Sequence, residues 1–214
     1  FAEILALALA ISDRPGFEAR RAEARTRERL RGLGIGQYIE LSGQMNERME
    51  LRIEADGTVL VIAGTHSHGQ GHATTYAQIV SDWLGVEFDK VRMIQGDTDR
   101  VAAGRGTFGA RSMVCAGGAL RSAADQVIAQ GKNVAAQMLE AVASDIEFAD
   151  GVFRVAGTDR EVALSTVARA AHAPVGPLAA IGMGLEAVGN FDPVASYPNG
   201  CHVAEVEIDL ETGA

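Results

Sequence analysis

The chain twice places a glycine-rich polar loop between a short apolar strand and a helix, and this recurrence constrains the fold more than any other feature of its 214 residues. Thr58-Val-Leu-Val-Ile-Ala63 is a β-branched, apolar run with the length expected of a buried strand. It breaks at Gly64. Beyond Gly71, the residues Ala73, Tyr76, Ala77, Ile79, Val80, Trp83 and Leu84 recur mostly at three- and four-residue intervals, which predicts a helix over about 72–85. A loop at such a junction suits an anion, because the amides of a helix's first turn lack partners within the helix and the dipole is positive there. Gly69 and Gly71 permit close backbone approach to a ligand, and Gln70 between them offers both a carbonyl acceptor and an amide donor. His72 stands at the helix start, where capping and contact with a phosphate are both open to it.

The second loop follows the same plan. Lys90-Val-Arg-Met-Ile-Gln95 reads as a strand ended by Gly96-Asp97, and a long loop then runs to Ser112, where a helix or helix pair extending to about residue 143 begins. Gly104, Gly106 and Gly109 give that loop freedom, while Thr107, Arg111 and Ser112 supply hydroxyl and guanidinium donors near the helix start. Arg111 has two candidate partners, a phosphate and Asp97, and Asp97 with Asp99 suits an Asx turn. Gly117-Gly118 inside the following helix costs stability unless close packing uses both. Tyr76 and Trp83 fall at helical spacing beside apolar neighbours and are expected in the core.

Gly-Gln-Gly-His at 69–72, Gly-Asp-Thr at 96–98 and Gly-Thr-Phe-Gly-Ala-Arg-Ser at 106–112, in that order, resemble the molybdenum-binding large subunit of the xanthine dehydrogenase and aerobic carbon monoxide dehydrogenase family. Gly32-Leu-Gly-Ile-Gly-Gln-Tyr-Ile-Glu40, Tyr197-Pro-Asn-Gly-Cys-His-Val-Ala-Glu-Val-Glu-Ile-Asp209 and Glu211-Thr-Gly213 are similar to its flanking strands, so the likeness covers nearly the whole chain. The resemblance implies an oxidoreductase whose molybdenum is held by the dithiolene of molybdopterin, extended as a cytosine dinucleotide in bacterial members, with no protein side chain on the metal. Gly69, Gln70, Gly71 and His72 would then contact the pterin and phosphates, and Thr107, Gly109, Arg111 and Ser112 would bind the dinucleotide from the other side. It further implies transfer of water-derived oxygen to a carbon centre of a small-molecule substrate. Electrons would pass to an iron-sulfur small subunit and an FAD-binding medium subunit, or equivalent domains, in a cytoplasmic oligomer. The protein's share of such chemistry is positioning and electrostatics.

A full large subunit of that family is several times longer. It has an earlier domain on the substrate side of the metal and a later glycine-rich segment whose glutamate is the general base, and neither is found in this sequence. Glu205, Glu207 and Glu211 lack that glycine-glutamate context, so no catalytic residue is assigned and the chain alone is expected to be inactive. Its first residue, Phe1, fits an excised domain or processed chain. Cys115 and Cys201 are too few and too far apart for a disulfide framework or an iron-sulfur cluster, which favours a reducing compartment.

A net charge of −9 argues against general nucleic-acid binding. The apolar stretch Ile4 to Ile11 is too short to span a bilayer and reads as a packed helix. The basic cluster Arg20 to Arg31, interspersed with Glu23 and Glu28, reads as a solvated helix face with internal ion pairs. The expected fold is α+β, a mixed sheet with packed helices, in three consecutive stretches. Residues 1–31 form a helical lead-in interrupted at Arg14-Pro-Gly16; residues 32–155 form the cofactor-loop core, with strands at 32–42, 48–55, 58–63 and 90–95 and a hairpin around Asp150-Gly151. Residues 156–214 supply a helix at 164–172, a loop at 173–177 and a returning strand at 201–209.

Two other readings compete: a cofactor-free binding or assembly module on the same fold, and a zinc metallohydrolase using His66, His68 and His72. The zinc reading is weakened because Gln70 stands where that motif places an aspartate, and His172 and His202 lie far along the chain.

Overall fold

The mixed sheet expected from the loop pattern is present in the computed structural model, which describes residues 1–214. In chain order the first elements are α1 (Ala2–Ile11), α2 (Phe17–Thr26), β1 (Arg29–Ile39), β2 (Glu47–Ile53), β3 (Val59–Ala63), α3 (His72–Leu84) and β4 (Val91–Ile94). A π-helical turn, Ser112–Ala116, then leads into α4 (Gly117–Met138). There follow β5 (Ile146–Ala149), β6 (Val152–Val155), β7 (Glu161–Ala163), α5 (Leu164–His172), β8 (Leu185–Phe191) and β9 (Asn199–Asp209). By contact, residues 1–42 and 196–214 make one unit and residues 43–195 another. No helix is long and apolar enough to cross a membrane.

In the 43–195 unit the principal sheet runs β4-β3-β2-β8. β3 and β4 are parallel, joined through α3 as a crossover connection requires, whereas β2 is antiparallel to both β3 and β8. Alternation in β2 sends Met49, Leu51 and Ile53 into the core, where they meet Val59 and Val61 of β3, Tyr76, Val80 and Leu84 of α3, and the alanine-rich face of α4. Arg48 and Arg52, on the other face, both pair with Glu50. A smaller antiparallel sheet, β5-β6-β7, sets Phe153 against α4.

The small residues of α4 are there for close approach. A Cβ on Gly118 would meet Cγ of Phe191 at 2.6 Å, and a Cβ on Gly117 would meet the Met113 methyl at 2.8 Å. Gly118 is therefore used by packing, as its helix-interior cost requires, whereas the Met113 methyl facing Gly117 is the end of a flexible, exposed side chain. The sequence reading omitted β8, although it carries much of the contact with α4. Its inward positions are Leu185, Ala187 and Gly189, so a period of two is present in burial and muted in hydrophobicity. The short edge strand β7 was likewise missed, and the long helix ends at Met138, short of residue 143.

In the other unit, β1 and β9 form an antiparallel ribbon registered from Arg29 opposite Asp209 to Ile39 opposite Asn199. Backbone bonds of 2.9 and 3.0 Å exchanged between Ser42 and Ser196 extend the pairing past a gap. The ribbon has its charges on one face: Arg20 of α2 and Arg27 just past its end reach Glu205 and Glu207 at 2.8 and 2.9 Å, and Arg29 and Arg31 reach Asp209 and Glu205 at 3.3 and 3.0 Å. Those guanidinium groups hold the Glu205 and Glu207 carboxyls below the usual carboxylate range. The basic cluster has the internal pairs expected of it, Arg21 with Glu18 at 3.5 Å and Arg27 with Glu23 at 2.6 Å, and it also clamps onto β9; its last members, Arg29 and Arg31, belong to a strand. The alternate positions Leu30, Val206 and Ile208 are exposed, and Phe17, Ala24 and Ser42 are the only buried residues of this unit.

Candidate functional site

Both glycine-rich loops leave the same edge of the principal sheet, because β3 and β4 are parallel neighbours and each loop begins where its strand ends. The structure brings them together. The backbones cross at Gly64 and Gly104, so closely that a Cβ on Gly64 would lie 2.6 Å from the Gly104 Cα. Beside the crossing, Gly106 N donates to Gly64 O at 3.1 Å and His66 N donates to the Thr107 hydroxyl at 3.0 Å. Ser112 Oγ also donates to the Thr107 hydroxyl, at 3.0 Å. Thr107 Oγ1 therefore accepts twice and keeps its own proton to donate elsewhere.

Beneath this seam lies Tyr76, fully buried, whose hydroxyl is 2.8 Å from Thr65 Oγ1 and donates to Ser112 O at 3.1 Å. Burial pushes its phenol above the ordinary value, which keeps the proton that the bond to Ser112 needs. Gln95, at the end of β4, ties the loops again by accepting from Ser67 N at 2.7 Å and donating to Ser67 O at 3.0 Å. Asp97 accepts from Asp99 N at 3.0 Å in an Asx turn. A cleft of about 260 Å³ opens between the loops, lined by Gly64, Thr65, His66, Asp97, Thr98 and Gly104 among others.

The first loop is closed by Gln70, which accepts from His68 N at 2.7 Å and donates to His66 O at 3.0 Å while remaining exposed. Gly69 and Gly71 have φ of 125° and 80°, conformations that L side chains rarely adopt, and a Cβ on either would meet nothing within 4 Å. There is open space above them. Ser67 Oγ accepts from His72 N at 3.3 Å, and the next amides of the α3 first turn, those of Ala73 and Thr74, lack partners within the helix.

Arg111 lies apart from the exposed residues of the loops. It is 0% exposed, and its guanidinium pairs with Glu47, donates to Gly106 O and Asn46 O at 2.7 and 2.9 Å, and approaches Gln44 O at 3.4 Å. Neither Asp97 nor open solvent is among its surroundings. Gly109, two residues earlier, accepts from Gly43 N at 3.3 Å.

The three neighbouring histidines do not converge. His66 and His68 stack with ring centroids 6.0 Å apart, His72 packs on Tyr76 at 5.4 Å, and no group of three His, Cys, Asp or Glu side chains is arranged to hold a metal ion. His72 is buried, and its Nδ1 has no hydrogen-bond partner. Desolvation, with His68 and His66 nearby, holds its imidazole below the ordinary value. The unfolded chain takes up this proton near pH 6.5, whereas the folded chain resists it. The stability associated with neutral His72 is therefore complete above about pH 6.5 and is lost as the pH falls through the folded value. Thermal melts between about pH 8 and pH 5 should show a shallower acid decline in His72→Gln than in the parent chain. Parallel declines would show that His72 does not supply this pH dependence.

Glu47, Tyr76 and Gln95 organise the site, and the sequence pattern singled out none of them for that work. Gln95 carried a usable signal, as an amide immediately before the Gly96-Asp97 turn. Glu47 carried none, because its partner lies 64 residues away.

A family profile described as "Molybdopterin cofactor-binding domain" matches residues 8–214. The carbon monoxide dehydrogenase large chain of Afipia carboxidovorans is 37% identical over 202 residues, covering 88% of this chain and 25% of that one. The nicotine 6-hydroxylase large subunit of Paenarthrobacter nicotinovorans is 33% identical, with 100% of this chain and 28% of the relative covered. Among solved structures, a Cu,Mo-CO dehydrogenase superposes with a TM-score of 0.78 at 31% identity, covering 100% of this chain and 29% of that one. Quinoline 2-oxidoreductase from Pseudomonas putida 86 gives 0.75 at 32% identity, covering 99% and 29%. The chain spans little more than a quarter of the length of these relatives.

Proposed function

Since the chain belongs to the molybdopterin cofactor-binding domain family, the fold region shared by oxidoreductases of the molybdenum hydroxylase type, we propose that its paired loops grip a molybdopterin cytosine dinucleotide within a larger catalytic subunit. The observation that carries this reading is the seam itself, where two loops from parallel strands are hydrogen-bonded to each other around donors left free. The donor set fits a phosphorylated, heteroaromatic ligand. Thr107 has an uncommitted proton, the Ala73 and Thr74 amides of α3 lack partners within the helix, His72 Nδ1 is buried without a partner, and the space above Gly69 and Gly71 is open.

In this reading Gly69, Gln70, Gly71 and His72 meet the pterin and phosphates, and Thr107, Gly109 and Ser112 meet the dinucleotide from the other loop. Arg111 serves that second loop. When bound, the group would supply the two-electron chemistry by which water-derived oxygen reaches a carbon centre. The chain's own contribution is to orient the cofactor and hold neutral donors against its anionic parts. The conformation of Gln70 favours this division, since its two bonds to the His66–His68 backbone shape the loop and leave one amide proton for a ligand.

The substrate is a small molecule, and its pocket and the catalytic base belong to the remainder of the subunit. Glu205 and Glu207 are held in ion pairs with Arg20 and Arg27, so neither is placed as a free base. Iron-sulfur and FAD-binding partners and a cytoplasmic setting complete the proposal.

The test is analysis of the full-length subunit for molybdenum and, after denaturation, for released cytidine nucleotide. Both should be present in near-equal amounts. A well-folded subunit empty of both would favour the rival reading, a cofactor-free binding or assembly module. Gln70→Ala removes two loop-closing bonds, worth about 0.5–1.5 kcal/mol each, and should lower cofactor content roughly fivefold or more with little change in melting temperature. Unchanged content would remove Gln70 from the site.

A further inference from the structure

Arg111 is the one arginine in the Gly-Thr-Phe-Gly-Ala-Arg-Ser segment, and a guanidinium there invites assignment to a phosphate. Its surroundings point elsewhere. The side chain has no exposed surface, its charge is matched by Glu47, which is itself about 1% exposed, and three backbone carbonyls take further donors. An anion would reach this guanidinium only by breaking the pair with Glu47 and uncovering a buried carboxylate, which is strongly unfavourable.

We propose that Arg111 is a positioning residue: paired with Glu47, it pins the second loop to the start of β2 from below, and the cofactor is gripped on the far side of that loop by neutral donors alone. The proposal rests on the reading of the loops as a dinucleotide site. Its physical content is the geometry of the fork. Nη1 joins Glu47 to Gly106 O, Nη2 takes Asn46 O, and Nε reaches toward Gln44 O, so one planar group fixes both the 104–111 loop and the 44–47 segment. Glu47 uses its other oxygen to accept from Arg48 N at 3.0 Å, and a Cβ on Gly64 would lie 2.7 Å from that same oxygen. The pin therefore sits directly beneath the crossing of the two loops. Placing Thr107 and Ser112 correctly depends on it, because Gly106 is bonded both to Arg111 and to Gly64. A grip of hydroxyls and amides, with the cation neutralised underneath, binds its anion through directed hydrogen bonds rather than through net charge.

The experiment uses the full-length subunit with the double substitution Glu47→Met and Arg111→Met, which removes both charges and keeps the volume. Replacing a buried ion pair in this way is often neutral for folding, whereas removing one partner alone is not. The melting temperature should stay within a few degrees of the parent. Amide exchange across residues 104–111 should accelerate about tenfold or more while that of α3 is unchanged, and cytidine nucleotide content should fall at least about fivefold. Arg111→Lys keeps the charge but has three donors on a point ammonium, so it should not restore slow exchange.

Slow exchange and full nucleotide content in the double variant would overturn the proposal, as would complete restoration by lysine. Loss of nucleotide with loop exchange unchanged would also overturn it, and would make Arg111 a direct phosphate ligand. If the parent subunit itself holds no molybdenum or nucleotide, the dinucleotide reading fails, and with it the neutral grip proposed for that ligand. Loop exchange in the double variant then separately decides whether the pin orders residues 104–111.

Discussion

Alanine at Gly104 should strip the full-length subunit of most of its cofactor while leaving the 43–195 unit folded. The added Cβ would fall on the Cα and carbonyl of Gly64, and the reverse substitution meets the Gly104 Cα at 2.6 Å. Both obstacles are backbone, so no rotamer change relieves them and the loops must part. Parting breaks the Gly106–Gly64 and His66–Thr107 bonds at 3.1 and 3.0 Å. At about 0.5–1.5 kcal/mol each, these losses amount to roughly 1–3 kcal/mol of preorganisation, or about 5- to 150-fold in affinity. Molybdenum and cytidine nucleotide per folded subunit are the readouts, with circular dichroism to confirm the fold. Parental cofactor content in Gly104→Ala would mean that the crossing is not what holds the grip together.

Alanine at Gly189 should have the opposite profile, a large loss of stability with the loops untouched. β8 lies against α4 so closely that a Cβ there would strike the Ala119 carbonyl oxygen and come within 2.6 Å of Ala123 N. Helix backbone cannot swing away as a side chain can, and the strand must lift from the helix along its length. Overpacking of this kind costs about 3 kcal/mol, near the upper end of the usual range. For a unit of this size that lowers the melting temperature by roughly 6–12 °C. Calorimetry of the full-length protein measures it, and a shift under about 2 °C would show that β8 and α4 have slack.

These two glycines illustrate what was legible in the sequence. Gly104 stands in a loop whose neighbours are Thr107, Arg111 and Ser112, so its surroundings advertise a ligand site before any contact is known. Gly189 stands in Leu185-Glu-Ala-Val-Gly-Asn-Phe191, where the inward positions shrink from leucine to alanine to glycine to admit α4. Packing determines the residue there, and the hydrophobic alternation that reveals a strand is erased by it. β2, β3 and β4 were readable because their core positions carry large apolar side chains, and α3 because its apolar residues keep the helical period.

Long-range polar partnerships were the other blind spot. That the two loops lie side by side follows from parallel pairing of β3 and β4, which a strand-to-helix pattern suggests. That Arg111 turns inward to Glu47 does not follow from any local pattern. The same arginine at the same spacing would look identical if it faced a phosphate. Likewise Tyr76 was rightly expected in the core by its spacing, yet its hydroxyl also joins Thr65 to Ser112, a role set by which backbone atoms tertiary structure brings above it.

The paired backbone bonds of Ser42 and Ser196 have a practical corollary. They bring the points where the chain enters and leaves residues 43–195 side by side, the arrangement that makes domain insertion and exchange tolerable. The loop-bearing unit is in effect a cassette with adjacent ends. It is suited to grafting between related enzymes by two splices at one ladder rung, with the β1–β9 ribbon left as the host frame.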